Sequence, residues 1–266
     1  MEMMKTIMLD DSSFNVSVGI SSVIGKRNEQ QDSVIADDDY ALLEREKFIA
    51  VLCDGMGGLS GGERASNLCT TYVRDKFHSM HTIENISDFY RETIVECDER
   101  VTKLRDENGE PVKAGTTLAS VVIRDQKLHW ASVGDSHIYF LRNNQIRCIT
   151  NDHNYLMLLN EKVKCGEITQ EQAYADPQKE ALVSYIGIGG VKYMDLNARP
   201  FELQGGDYII LCSDGLYRSV SEEDIKNITY GIGDAKDVAE CLTEFAMRAG
   251  KRHQDNTSAI VIQCKG

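Results

Sequence analysis

Proline is scarce, at three in 266 residues, and no serine or glycine tract is present, so nothing linker-like divides the chain. The reading is one domain over residues 1–266. No run approaches the ~20 apolar residues of a membrane span, and Met1 to Asp11, with one lysine and no long apolar stretch, makes a poor signal peptide. Paired cysteines are missing as well. The eight (Cys53, Cys69, Cys97, Cys148, Cys165, Cys212, Cys241, Cys264) have no CxxC spacing, and several sit inside apolar runs. This excludes a disulfide framework or zinc ribbon and points to reduced core thiols in a cytoplasmic protein. Basic charge is short too: 29 Lys and Arg against 42 Asp and Glu give a formal charge of -13. Such a balance disfavours a nucleic-acid partner or attraction to an anionic membrane.

What remains is an ordinary folded composition, 42% apolar and 27% charged, on a chain long enough to bury a core without cross-links. Strands are expected at Asn15–Ile24, Phe48–Cys53, Thr117–Arg124, Leu128–Val133, His137–Leu141, Tyr208–Cys212 and Thr257–Ile262, all rich in Val, Ile or aromatics. Asn143 Asn144 suggests a hairpin, and Gly205 Gly206 Asp207 a turn into a later strand. Ile83, Ile86, Tyr90, Ile94, Cys97, Val101 and Leu104 advance by three or four, which makes one apolar helix stripe. Val238, Leu242, Phe245 and Ala249 repeat the pattern, and Leu68, Tyr72 and Val73 mark a further helix. Both patterns read as core faces. Strands and helices come in blocks rather than in strict alternation, which favours antiparallel sheets with helices packed outside. From Asn154 to Gly190 the strand pattern disappears, which leaves a surface insertion or a cover beside a site.

The sharpest local signal is an apolar run ending in aspartate and glycine. It occurs as Ile49 Ala50 Val51 Leu52 Cys53 Asp54 Gly55 and again as Tyr208 Ile209 Ile210 Leu211 Cys212 Ser213 Asp214 Gly215. Val133 Gly134 Asp135 reverses the pair, Asp255 Asn256 precedes the last strand, and Asp32 precedes Ser33 Val34 Ile35. One such aspartate is a turn residue; four at strand ends form a ligand set. Oxygen donors without a nearby His/Cys cluster suit magnesium or manganese rather than zinc. Gly55 lets the backbone approach and offer its carbonyl. Two such ions, roughly 3.5 to 4 Å apart, would lower the pKa of a water and aim it at phosphorus. Arg27, just before Asp32, has the fork to grip phosphate oxygens. The five glycines from Asp54 to Gly62 match neither a P-loop nor a dinucleotide fingerprint, and no Cys-x5-Arg loop exists.

Taken in order, the motifs Gly25 Lys26 Arg27 Asn28 Glu29 Gln30 Gln31 Asp32 Ser33, Asp54 Gly55 Met56 Gly57 Gly58, Gly115 Thr116 Thr117 Leu118, Gly134 Asp135 Ser136 His137, Asp152 His153, Ser213 Asp214 Gly215 Leu216 and Asp255 Asn256 Thr257 resemble one family. It is the metal-dependent protein serine/threonine phosphatases, type 2C or PPM, in their compact bacterial form. The resemblance spans Gly25 to Val261. It implies an α+β fold, a four-layer αββα sandwich with two central antiparallel sheets flanked by helices. It implies hydrolysis of phosphoserine and phosphothreonine in proteins, with phosphorylated proteins and an opposing Ser/Thr kinase as partners.

The resemblance also assigns roles. Asp54, Asp214 and Asp255 match the residues serving the first metal, Asp54 bridging, and the Gly55 carbonyl helps hold the second. Asp135 with Asp214 matches a third site, so two or three Mn2+ or Mg2+ ions are implied. Arg27 matches the phosphate-binding arginine, Asp32 an outer acid that binds metal waters, and Val163–Tyr185 the flap. The implied catalytic set is Arg27, Asp54, Asp214 and Asp255. Three positions depart from the pattern. Gln31 replaces a glutamate and brings no charge. Met56 stands where some relatives have a histidine general acid, and a thioether donates no proton. His137 replaces an arginine, where a structural role is expected. These departures motivate one alternative, a noncatalytic pseudophosphatase that binds phosphoproteins or regulators.

Overall fold

The computed structural model describes residues 14–37, 47–57, 61–80, 83–249 and 253–266. It begins with β1 (Asn15–Val23), β2 (Asp32–Ala36) and β3 (Lys47–Met56), followed by α1 (Gly61–Ser79) and α2 (Ile86–Thr102). A block of strands comes next: β4 (Gly115–Thr116), β5 (Leu118–Arg124), β6 (Lys127–Val133), β7 (His137–Arg142) and β8 (Gln145–Cys148). Then follow α3 (Tyr155–Lys164), α4 (Gln170–Ala175), β9 (Asp195–Leu196), β10 (Phe201–Glu202) and β11 (Tyr208–Cys212). The chain closes with α5 (Asp214–Tyr217), α6 (Glu222–Ile232), α7 (Ala235–Arg248) and β12 (Thr257–Lys265).

Two sheets form. One runs β1-β12-β11-β7-β8; the other runs β10-β6-β5-β3-β2, with β4 paired to β3 and β9 to β6. Every strand pairing among the described residues is antiparallel. Side-chain alternation along β3 shows how the layers stack. Phe48, Ala50 and Leu52 face the other sheet, with Val121, Ile209, Leu211, Ile260 and Ile262. Ile49, Val51 and Cys53 face outward onto α1 and α2, with Val73, Phe77, Tyr90 and Ile94. On the opposite outside, Ile210, Cys212, Ala259 and Val261 meet Ile225, Val238 and Leu242 of α6 and α7. The four layers expected from the resemblance are therefore present. Strands buried on both faces read as unbroken apolar runs, which is why they were visible in the sequence.

Local chemistry sets the boundaries. The α2 helix begins at Asn85, whose side chain accepts from the N–H groups of Ser87 and Asp88. The apolar stripe overshoots the helix: Ile83 and Leu104 pack on the same core from outside its ends. The last stripe is met in part: Val238 and Leu242 are buried as expected, while Phe245 is 40% exposed and Ala235, Ala239, Thr243 and Ala246 complete the buried face. The hairpin between β7 and β8 does turn at Asn143 and Asn144, both at positive φ. A second one, at Asp125 and Gln126, carries no Gly or Asn signal and was not foreseen. No helix of the described residues is long and apolar enough to cross a membrane.

The region from Asn154 to Gly190 is helical and looped, as expected. Asn154 caps α3, and Thr169 with Gln172 forms a capping box on α4. Where it rejoins the body, the buried carboxylate of Asp98 on α2 accepts from the N–H groups of Gly187, Gly189 and Gly190 at 2.7, 3.2 and 2.6 Å.

Candidate metal centre

The register of the sheets gathers the aspartates. Asp32 opens β2 directly opposite Asp54 near the end of β3. Asp214 follows β11, whose last residue Cys212 pairs with His137 at the start of β7 and with Ala259 near the start of β12. Asp135 therefore precedes β7, and Asp255 precedes β12, at the same end of the sandwich. Asp54, Asp135, Asp214 and Asp255 line one cavity of about 680 Å³ together with Arg27, Gln31, Gly55, Met56, Glu180 and Arg218. Asp32 lies behind them, 7% exposed.

The buried acid is only half satisfied. Ser213 and Ser258 each donate a hydroxyl to Asp32 Oδ2 at 2.7 Å, while Oδ1 is buried with no hydrogen-bond partner in the protein. An orphaned carboxylate oxygen in such a place is costly unless a cation or its water relieves it. Burial pushes Asp32 up to about 6 in spite of its two serine donors. Burial, then repulsion from Asp32, Asp214, Asp135 and Asp255, holds Asp54 well above the ordinary carboxylate range. Asp214 is pushed up to about 6, again by burial, with Arg218 opposing and Asp135 and Asp255 adding. Burial and Asp152 raise Asp135. Mutual repulsion among acids fixed on rigid strands, with oxygen donors only, fits a hard divalent cation.

The backbone around Asp54 is held from several sides. Its carbonyl accepts from Thr117 N and Thr116 Oγ1, both at 2.9 Å, and its N–H donates to Thr117 Oγ1. Gly55 donates to the Gln31 carbonyl at 3.0 Å. A Cβ there would lie 2.3 Å from the Gly62 carbonyl oxygen and 2.5 Å from that of Gln31, so no side chain fits. Gly58 of the sequence motif lies outside the described residues.

Arg27 sits on the rim with its side chain 58% exposed, and Nη2 donates to Asp255 Oδ2 at 2.5 Å. Its loop is tied down by Asn256. Asn256 Nδ2 donates to the carbonyls of Ile24 and Glu29, and Oδ1 accepts from Gln31 N. Asn256 was quoted in the sequence motif without a role; here it positions the arginine loop. Arg218 was missed altogether, although its i, i+4 spacing from Asp214 on α5 was a readable signal. Its Nε lies 3.0 Å from Asp214 Oδ2. With Asp255 and Asp214 so paired, no three carboxylate, histidine or cysteine side chains among the described residues converge on a single point.

The three departures also find their places. Gln31 donates through Nε2 to the Gly57 carbonyl at 3.0 Å and thereby braces the glycine loop. Met56 lines the cavity. The His137 ring stacks on Tyr217 at 3.7 Å and bonds Asp152 and Tyr139, both at 2.9 Å, which is the structural role expected of it.

An αββα sandwich with an acid-lined, arginine-rimmed cavity at one end suits a metal-dependent hydrolase, and comparison with known proteins narrows the class. The family model for protein phosphatase 2C matches residues 24–257, and the chain belongs to that family. It is 29% identical over 243 residues to the serine/threonine phosphatase stp of Listeria welshimeri, covering 90% of this chain and 91% of that one. The serine/threonine phosphatase of S. agalactiae superimposes with a TM-score of 0.79 at 26% identity, over 93% of this chain and 99% of the other. The catalytic domain of the phosphatase PstP, crystallised with two manganese ions, gives a TM-score of 0.76 at 25% identity, over 96% and 100%.

Proposed function

We propose that this chain hydrolyses phosphoserine and phosphothreonine esters in other proteins, and does so only with divalent metal. The observation that carries the reading is one cavity lined by four aspartates and Arg27, with a fifth aspartate buried behind them, at the end of two rigid sheets. Asp54, Asp214, Asp255 and the Gly55 carbonyl would hold two ions, with Asp32 behind them; a third would have to draw on Asp135 with Asp214. Mg2+ or Mn2+ held there supplies Lewis acidity, which neutralises phosphoryl charge and makes a water nucleophilic near neutral pH.

The protein's own side chains do the rest. Arg27, already at the rim, turns its planar fork onto two phosphoryl oxygens and holds phosphorus at the cavity floor. Its exposure means that the move sheds little packing. Met56 cannot protonate the departing serine or threonine oxygen, so that proton comes from a group other than residue 56. Glu180 and Leu182 reach the same cavity from the 163–185 segment, which supports treating that segment as a flap within a single domain. Five of the eight cysteines are buried and free, in keeping with a reducing, cytoplasmic setting. The substrates are products of a Ser/Thr kinase, which is the activity this enzyme opposes.

Met56 and Gln31 favour the noncatalytic alternative, and one assay separates the two. A phosphothreonine peptide is incubated with the purified chain, with and without Mn2+ or Mg2+. Turnover that requires metal is the expected result. Metal binding without turnover would leave a phosphoprotein-binding module, and selective turnover of a small phosphate ester would overturn the substrate class.

A further inference from the structure

Arg218 touches three carboxylates from three separate parts of the chain. Its Nε lies 3.0 Å from Asp214 Oδ2, Nη2 lies 3.6 Å from Asp135 Oδ2, and Nη1 donates to Glu180 Oε2 at 2.7 Å. Asp214 opens α5, Asp135 sits between β6 and β7, and Glu180 belongs to the 163–185 segment. The neighbouring Tyr217 reinforces the arrangement: its hydroxyl donates to Asp135 Oδ2 at 3.4 Å while its ring lies flat on His137.

Resting on the metal-centre reading above, we propose that Arg218 is a permanent cation of this centre. It fills the Asp135–Asp214 side in place of a third divalent ion, and through Glu180 it fastens the 163–185 segment over the cavity. A guanidinium does not lose its proton in a protein, so this charge is present at every working pH. It lies between the two carboxylates that a third ion would need, 3.6 Å from Asp135 and 3.0 Å from Asp214, and so opposes a further dication placed between them. The centre therefore holds two ions and one arginine. The contact with Glu180 is of another kind. Side chains there are 40% and 59% exposed, and an ion pair so open to water is weak and screened by salt. Weakness suits a fastening that must release for substrate to enter and product to leave.

Manganese stoichiometry tests the first half, measured by calorimetry and by equilibrium dialysis on the full chain. The wild type is expected to bind two ions and Arg218→Ala three, and Asp135→Asn added to Arg218→Ala should return the count to two. If Arg218→Ala does not fold, Arg218→Gln keeps the hydrogen-bonding side chain, lacks the charge and carries the same expectation. Three ions in the wild type, or two in both proteins, overturns the inference and leaves the metal centre standing. No ion in the wild type overturns the metal centre and this inference together. Amide exchange tests the fastening: Glu180→Gln should exchange several-fold faster across residues 176–185 with the ion count unchanged. Exchange at the wild-type rate in that variant overturns the flap contact.

Discussion

The β3 strand contains both halves of the molecule within ten residues. From Phe48 to Cys53 every side chain is fully buried, apolar and packed against another layer. At the next position Asp54 enters a cavity where four further carboxylates repel it. The first stretch stabilises the fold; the second works against it. Because the strands are clamped on both faces, the acids cannot move apart, and the strain they hold is what a bound divalent cation would relieve. Preorganisation here is the stability of the sandwich applied to an unfavourable cluster.

The largest effect should come from cutting the two halves apart at Asp54. Asp54→Asn is expected to lower metal-dependent phosphopeptide turnover by at least about 10³-fold, the scale set by losing a charge that acts on the transition state. In the metal-free protein the same change should raise Tm, because it removes the acid repelled by all the others. Lost activity together with lost metal-free stability would contradict the comparison. Leu211 on β11 probes the other half. It is fully buried between the sheets, and Leu211→Ala should cost about 2 to 5 kcal/mol in denaturant unfolding while leaving turnover per folded molecule near wild type.

The sequence exposed these halves unequally, and for different reasons. Strands such as Tyr208–Cys212 announce themselves because both faces are buried, and the acids stand out because each interrupts such a run. The resemblance then ordered those acids into a site. What escaped were residues whose meaning lies in long-range contacts. Ser213 and Ser258 look like ordinary strand-end hydroxyls until both are found on Asp32. Asp98 is an unremarked acid on a helix stripe until three glycine N–H groups reach it across roughly ninety residues of chain. The Asp125–Gln126 turn had only a faint compositional mark: aspartate tolerates positive φ, but at Gln126 that conformation is imposed by the flanking register rather than favoured by residue type. Phe245 fits a stripe of period 3.6, yet of that stripe only Val238 and Leu242 reach the sheet, and small residues, Ala235, Ala239 and Ala246, take the rest of the buried face of α7.

Asn256 lies on the border between the halves, and its replacement should have an intermediate effect. It is 5% exposed and makes three hydrogen bonds to the 24–31 loop, so Asn256→Ala leaves two carbonyls and one N–H without their partner. Activity is expected to fall about 10- to 100-fold, because a misplaced Arg27 grips phosphate poorly; shifts near an ångström have effects of that size. The loss should appear in kcat/KM for the phosphopeptide, with Tm lowered by only a few degrees. A fall in Tm without a fall in kcat/KM would move Asn256 wholly into the structural half.

The smallest effect is the most direct reading of the repulsion itself. Asp32 and Asp214 both titrate at about 6 in the folded chain, raised from 3.8 by burial. Between those two values the native state binds more protons than the unfolded state, so stability must fall as pH rises through the window. In chelator, lowering the pH from 7.5 to 5.5 should therefore stabilise the protein, with Asp214 alone contributing about 1 kcal/mol. Thermal unfolding at the two pH values measures the difference, and Asp214→Asn should shrink it. With saturating manganese the slope should reverse, since protons then compete with the ion for the same oxygens. A metal-free protein that is more stable at pH 7.5 than at 5.5, with Asp214→Asn behaving identically, would mean that the acids are not held against their repulsion and that the cavity end is no less relaxed than the core.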